Sequence, residues 1–325
     1  MRAIIPVAGI GSRLKPHTFS TPKVLLNVGG KPIISHIVDK LLEEGINRAT
    51  FVVGHLGEMI IEYIQNEYPH MQTDFIEQKN KEGLGHAIYT AIPTFDDKEI
   101  FIILGDTIFD VDLRKVLKSK HTSLGVKKVD DPRRFGVAVV ENGFVKKLIE
   151  KPLEPVSNLA LVGLYYISNS EVLIKSLNEL VEKDIRTKGE LQLTDALQIM
   201  IRDGEKIKTF PVDGWYDCGK PETLLSTNKF LLEQKSTHEK YNNVVINEPV
   251  FIADTAIVEN SIIGPYTTLD KECFVKDSLI RNSIVGSKAI VSKALLDNSI
   301  IGNNSVIRGT YKRLNSGDSS EIDFY

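Results

Sequence analysis

The sequence predicts an α/β, Rossmann-like domain with a mixed central sheet, followed by a short left-handed parallel β-helix. Three observations carry that expectation. From residue 1 to about 235, short apolar runs alternate with amphipathic segments. From Val250 onward, aliphatic residues recur about every six positions. Between the two textures, Glu233 to Glu248 is polar and reads as a connection. The expected division is 1–235, a linker at 236–249, and a repeat domain at 250–325.

The elements follow in order. Ala3–Ala8 is a compact apolar run before a glycine turn, as in a buried strand. Ile33, Ile34, Ile37, Val38, Leu41 and Leu42 keep helical spacing between Pro32, suited to a first helical position, and Gly45, suited to a stop. Ala49–Val53, Thr73–Ile76 and Ile100–Leu104 read as strands. Glu58–Asn66 and a segment from about Leu84 read as helices. This alternation implies a largely parallel sheet with helices on both faces. Phosphate sites in such sheets lie at the carboxyl ends of the strands. After Asp112 the pattern adds strands and predicts antiparallel additions, with Asp112 capping a helix over Leu113–Lys118. A further helix opens around Lys188–Asp195 and ends near Gly204. In the repeat, Ile252, Val258, Ile263, Leu269, Val275, Ile280, Val285, Val291, Leu296, Ile301 and Ile307 are five or six residues apart. That is a hexapeptide period, which predicts coils of about 17–18 residues and roughly three coils over Val250–Ile307. The tail Asn315–Glu321 is expected to cap the end coil.

Composition narrows the function. The 325 residues hold 40 basic and 43 acidic side chains, a net charge of −3, which leaves no cationic footprint for nucleic acid or an anionic membrane. No apolar run reaches the roughly 18 residues of a membrane span. Two cysteines far apart, Cys218 and Cys273, exclude a disulfide scaffold and fit a cytoplasmic setting.

The strongest motif runs Gly9-Ile10-Gly11-Ser12-Arg13-Leu14-Lys15-Pro16-His17-Thr18 and continues to Thr21-Pro22-Lys23. Glycines let backbone N–H groups approach a phosphate, and Arg13 and Lys23 bring positive charge. No Gly-Lys-Ser/Thr follows, and Leu14 stands where a dinucleotide fingerprint has its third glycine, so both of those motifs are excluded. With Lys31-Pro32-Ile33, Trp215-Tyr216-Asp217-Cys218-Gly219 and the hexapeptide tail, the sequence resembles the sugar-1-phosphate nucleotidylyltransferases, or NDP-sugar pyrophosphorylases, over nearly its whole length. The likeness is greatest to the glucose-1-phosphate thymidylyl and uridylyl branch.

The resemblance implies an enzyme that moves a nucleoside monophosphate from an NTP to a sugar 1-phosphate, releases pyrophosphate and needs Mg2+. Ala8, Gly9, Gly11 and Ser12 would line the nucleotide, with Arg13 and Lys23 as the catalytic cations. Asp106, at the end of a buried strand, and Asp217 would be the metal carboxylates. Glu77-Gln78-Lys79-Asn80-Lys81-Glu82-Gly83-Leu84-Gly85-His86-Ala87 resembles the base-recognition segment. The amide of Gln78 suits the edge of uracil or thymine, and Gly83 would lie against base or ribose. Gly136, Glu150, Lys151, Gly163 and Glu190 fall in segments that resemble the sugar-facing ones. Glu190 alternatively complements a helix dipole. His86 is expected to pack on its helix and Trp215 beside the metal.

UTP or dTTP with glucose 1-phosphate are the expected substrates. The alternatives are a mannose-1-phosphate guanylyltransferase-like enzyme and a noncatalytic regulatory homologue. Retention of Arg13, Lys23, Asp106 and Asp217 favours catalysis. Acetyl transfer by the repeat domain is disfavoured, because all seven histidines lie at or before His238. The repeat is expected to serve structure or assembly into a homo-oligomer.

Overall fold

The computed structural model describes residues 1–234, 243–309 and 314–323. Half of the expected linker, residues 236–242, falls outside these. Two compact units divide the chain, Met1–Gly9 with Ile37–Trp215, and Ile10–His36 with Tyr216–Tyr325.

The first unit is built on a nine-stranded sheet. Its strands are β1 (Arg2–Pro6), β2 (Arg48–Val53), β3 (Gln72–Glu77), β4 (Ile100–Ile103), β5 (Ser123–Lys128), β6 (Gly136–Glu141), β7 (Phe144–Glu150), β8 (Leu159–Ile167) and β9 (Lys208–Pro211). The order is β7-β6-β8-β4-β1-β2-β3, with β5 paired to β8 and β9. The run β4-β1-β2-β3 is parallel, and β8 lies antiparallel to β4. A parallel core with antiparallel additions is thus what the chain forms. Ala3, Ile4 and Ile5 are fully buried, as a central parallel strand requires. Arg2 is buried among them because Asp96 binds its guanidinium through two bonds of 2.9 Å, and Asp74 and Thr50 accept from its Nη1.

The helices are α1 (Ile33–Glu43), α2 (Gly57–Glu67), α3 (Leu84–Thr90), α4 (Ser170–Glu182), α5 (Leu193–Arg202) and α6 (Pro221–Glu233). Of the apolar residues expected on α1, five are buried and Leu42 is 40% exposed. The helix expected over Leu113–Lys118 is instead a series of turns. Six residues nucleate a helix poorly. Asp112 accepts the Arg114 N–H at 3.0 Å and its guanidinium at 2.8 Å, so the cap closes a local fork.

In the second unit the repeat forms three parallel sheets of four, five and five strands, the three sides of the β-helix. The aliphatic anchors fill its core, from Ile252 to Ile307. Ile263 pairs with Ile280, seventeen residues on, and Ile280 with Leu296, sixteen on. The coils therefore shorten along the axis from the expected length. Serines stack at a corner, where Ser261 and Ser278 Oγ accept the N–H of the next coil at 3.1 Å. The tail is a further rung: Ile301 pairs with Ser316 and Ile307 with Ile322. Strand pairing at one end also begins earlier than residue 250, at Val245–Ile246.

Compactness does not follow the motif-based division. The stretch Ile10–His36 groups with the β-helix, because it is bonded there. Gly29 N–H donates to Asn228 Oδ1 at 2.8 Å, and the same oxygen accepts from Thr268 Oγ at 2.7 Å. Gly30 lies under the ring of Phe251.

Candidate active site

Within the first unit, Ala8 follows β1 and is buried, while a Cβ on Gly9 would meet open space. The end of β3 delivers Gln78, only 7% exposed. Its Nε2 donates to the Gly83 carbonyl at 3.1 Å and lies 3.1 Å from His86 Nδ1. The carbonyl needs a donor, which fixes the amide orientation and leaves Oε1 as the group on offer. His86 therefore does more than pack on α3: it orients Gln78 through its unprotonated Nδ1. No sequence signal separates that role from packing.

Gly83 is pressed against the segment before α5. A Cβ there would lie 2.6 Å from the Leu191 carbonyl and 2.8 Å from Glu190 Cβ. Leu191 N–H donates to the Glu82 carbonyl at 2.7 Å, and Gly85 N–H to the Leu191 carbonyl at 2.8 Å. Arg186 binds Glu82 at 2.5 Å, which holds that carboxyl below its usual range. The base segment and the Lys188–Asp195 segment are thus one structure.

Glu190 is exposed, precedes α5 and pairs in a bridge with Thr187. The first-turn acid of α5 is Asp195 instead, so the dipole reading of Glu190 does not apply. Glu190 accepts from Gln192 Nε2 at 2.9 Å. Glu150, closing β7, accepts from Thr194 Oγ at 2.7 Å, and Lys151 Nζ lies 3.4 Å from its other oxygen. Gly136 opens β6 beside them, where a Cβ would come within 2.9 Å of Glu150 Oε2 and 3.0 Å of Thr194 Oγ1. Burial pushes the Asp195 carboxyl up; a bond from Thr187 opposes this and the Glu150 charge adds to it. Thr194 and Asp195 bond or face partners more than forty residues away, so sequence reasoning gave them no role.

Gly163 has φ +85° at a bulge in β8, and its missing Cβ would strike Leu104 at 2.8 Å. Its close approach is to the end of β4, two residues before Asp106. Asp106 is half-buried in the turn after β4. The buried Tyr165 phenol is raised above its usual range by desolvation, with the charges of Glu150 and Asp106 adding. Trp215 meets Phe135 edge-on at 5.2 Å, beside Gly136, and its buried Nε1 has no acceptor among the described residues.

In the second unit, Gly11 adopts the left-handed conformation (φ 68°), and a Cβ there would touch both Lys23 and Thr18 at 3.0 Å. Ser12 is exposed and Lys23 is 9% exposed. Arg13 Nη2 and Asp217 Oδ1 each lie 2.8 Å from where a Cβ on Gly219 would sit. The guanidinium and the carboxylate thus share one small space that only glycine leaves open. Among the described residues, no group of three or more His, Cys, Asp or Glu side chains is placed to hold a metal. Single carboxylates fit Mg2+, which binds through one or two of them and substrate phosphates. No described helix is long and apolar enough to cross a membrane.

The fold is that of known nucleotide-sugar enzymes. A Bacillus anthracis structure described as a glucose-1-phosphate thymidylyltransferase is 29% identical, with a TM-score of 0.63 over 74% of this chain and 98% of that one. A UDP-glucose pyrophosphorylase in complex with UDP-glucose, 24% identical, matches in fold with the same TM-score over 72% of this chain and 99% of that one. The nucleotidyl transferase family profile matches residues 2–234, and the chain belongs to that family and is a nucleotidyltransferase. Its relatives include a bifunctional protein GlmU from Methanocaldococcus jannaschii, 37% identical over 86% of this chain and 71% of that protein. Another is the UTP–glucose-1-phosphate uridylyltransferase AglF of Haloferax volcanii, 35% identical over 72% of this chain and 98% of that protein. The family generally uses a divalent metal ion.

Proposed function

We propose that the enzyme transfers a nucleoside monophosphate from UTP or dTTP to a sugar 1-phosphate, with glucose 1-phosphate the first candidate, and releases pyrophosphate. The observation that carries the base assignment is Gln78. Its amide nitrogen is engaged by Gly83 and His86, which leaves Oε1 as the acceptor for a base. An acceptor there can take the N3–H of uracil or thymine. The names of the relatives support the sugar 1-phosphate as acceptor substrate.

In this reading a sugar-phosphate oxygen attacks the α-phosphorus in line, forming one P–O bond as the bond to the β-phosphate oxygen breaks. The attacking group is already anionic, so positioning and charge neutralisation do the work without a strong general base. Arg13 and Lys23 hold the triphosphate, and the backbone at Ala8, Gly9, Gly11 and Ser12 lies along it. Lys151 holds the sugar phosphate. Glu150, its orientation fixed by Thr194, accepts sugar hydroxyls, and Gly136 and Glu190 border the same space. Gly163 serves by setting the end of β4. Asp106 and Asp217 are the carboxylates for Mg2+, which when bound neutralises charge on the phosphates.

Buried thiols at Cys218 and Cys273 support a reducing, cytoplasmic setting. Exposed aliphatics in register on the β-helix, such as Val245 with Ile262, support self-association. The deciding experiment is a pyrophosphate-release matrix of UTP, dTTP, GTP, ATP and CTP against several hexose 1-phosphates, with and without Mg2+. Activity confined to UTP or dTTP is expected. Preference for GTP with mannose 1-phosphate, or no turnover, refutes the assignment.

A further inference from the structure

The repeat domain has no histidine and little reactive equipment, yet its last rung is bonded to the signature loop. Asp318 stands in the turn between the strands Asn315–Ser316 and Glu321–Asp323. Its Oδ1 accepts the Asn303 N–H at 2.8 Å, from the preceding coil. Its Oδ2 accepts two hydroxyls from the loop, Thr21 Oγ at 2.7 Å and Ser20 Oγ. One carboxylate therefore ties the loop to the β-helix. Next to it, a Cβ on Gly317 would come within 2.9 Å of Pro16, so ring and rung are in contact. His17 is 1% exposed and borders a cavity of about 50 Å3 with Leu25, Ile300, Asn303 and Asp318.

The anchored stretch, Pro16 to Thr21, lies between Arg13 and Lys23. At its near end, Gly11 accepts from Thr18 Oγ at 2.9 Å. Arg13 itself is exposed and lies three residues before Pro16. We infer that the terminal rung of the β-helix, through Asp318, is a positioning element for the triphosphate cations Arg13 and Lys23. This deepens the proposed function and rests on its assignment of those two residues. It gives the repeat a part in the reaction besides structure or assembly: Asp318 acts through the loop and touches no substrate.

The test compares the full chain with Asp318→Ala, Asp318→Asn and the double variant Ser20→Ala/Thr21→Val. Glu321→Ala is the control, since Glu321 pairs with Arg308 at 2.7 Å on an exposed face of the same rung. In Asp318→Ala, KM for the NTP rises about tenfold or more, the scale that displacing a positioning group produces, while KM for the sugar 1-phosphate stays within about twofold. Asp318→Asn, which keeps an acceptor oxygen, falls between. Ser20→Ala/Thr21→Val reproduces the effect with the β-helix untouched, which covers the case in which Asp318→Ala does not fold. Hydrogen exchange of the amides of residues 12–23 quickens in these variants and not in Glu321→Ala. An unchanged KM for the NTP together with unchanged exchange overturns the inference. A wild-type chain inactive with every substrate pair refutes the functional reading instead, and exchange then decides the anchoring by itself.

Discussion

Replacing Thr194 by valine removes one hydroxyl and almost no volume. In the structure that hydroxyl donates at 2.7 Å to Glu150 Oε2, and no other bond from a described side chain is seen to fix that oxygen. A neutral donor on a carboxylate contributes about 1.5–3 kcal/mol. The Glu150 side chain is only 9% exposed, so water replaces little of the loss and about 1.5 kcal/mol is the least to expect. That corresponds to about a tenfold change in an equilibrium constant. If Glu150 holds sugar hydroxyls, Thr194→Val raises KM for the sugar 1-phosphate about tenfold and leaves KM for the NTP near wild type. Thr194→Ser, which keeps the donor, stays close to wild type. Gly136→Ala gives a second route to the same pair, because its methyl would enter within 3.0 Å of both oxygens. Steady-state kinetics with each substrate varied in turn reads all three. Equal effects of valine and serine at position 194, or an effect confined to the NTP, would refute the reasoning.

Other expectations follow from the same geometry. Arg13→Ala and Asp217→Asn each lower kcat by about a hundredfold or more, as loss of charge stabilisation does, and near-wild-type turnover in either removes it from the site. His17 has its pKa lowered by burial, so the unfolded chain binds the extra proton first as pH falls. Its contribution is intact above about pH 6.5, the ordinary histidine value, and is lost as pH drops from there toward the folded pKa. Thermal melting between pH 5 and 8 is expected to show this slope, and His17→Leu to flatten it; an identical slope in the variant counts against the assignment. The Cys273 thiol is pushed up to about 12 by burial, so native protein at pH 8 resists alkylation there and denatured protein does not, as mass spectrometry of labelled peptides would record.

Much of the fold was legible because its signals are local. The spacing of Ile33 to Leu41 gave a helix, and five buried side chains line its inner face. The hexapeptide anchors gave the β-helix, since each coil repeats the same inward step and the repeat needs no long-range information. Leu113–Lys118 misled because its capping aspartate is real but the segment behind it is too short to sustain a helix. The tail Asn315–Glu321 carried too few aliphatic residues for the pattern to announce it. It nevertheless pairs as a rung, because backbone hydrogen bonds to the preceding coil do not depend on side-chain type.

Sequence by itself determined the class of chemistry, through a glycine loop with Arg13 and Lys23 and through Asp106, Gln78 and Asp217 at recognisable spacings. Those residues are read from type and order along the chain. Tertiary structure decided which neighbours hold them. Gln78 owes its acceptor to Gly83 and His86, Glu150 its orientation to Thr194, and Arg13 its space beside Asp217 to Gly219. It also decided that the signature loop groups with the β-helix, through Asp318 almost three hundred residues away. Two of these rest on hydrogen bonds between residues far apart in the chain, Thr194 with Glu150 and Thr21 with Asp318. A hydrogen bond between distant residues leaves no periodic trace in sequence, so it becomes visible only when the chain has brought its partners together.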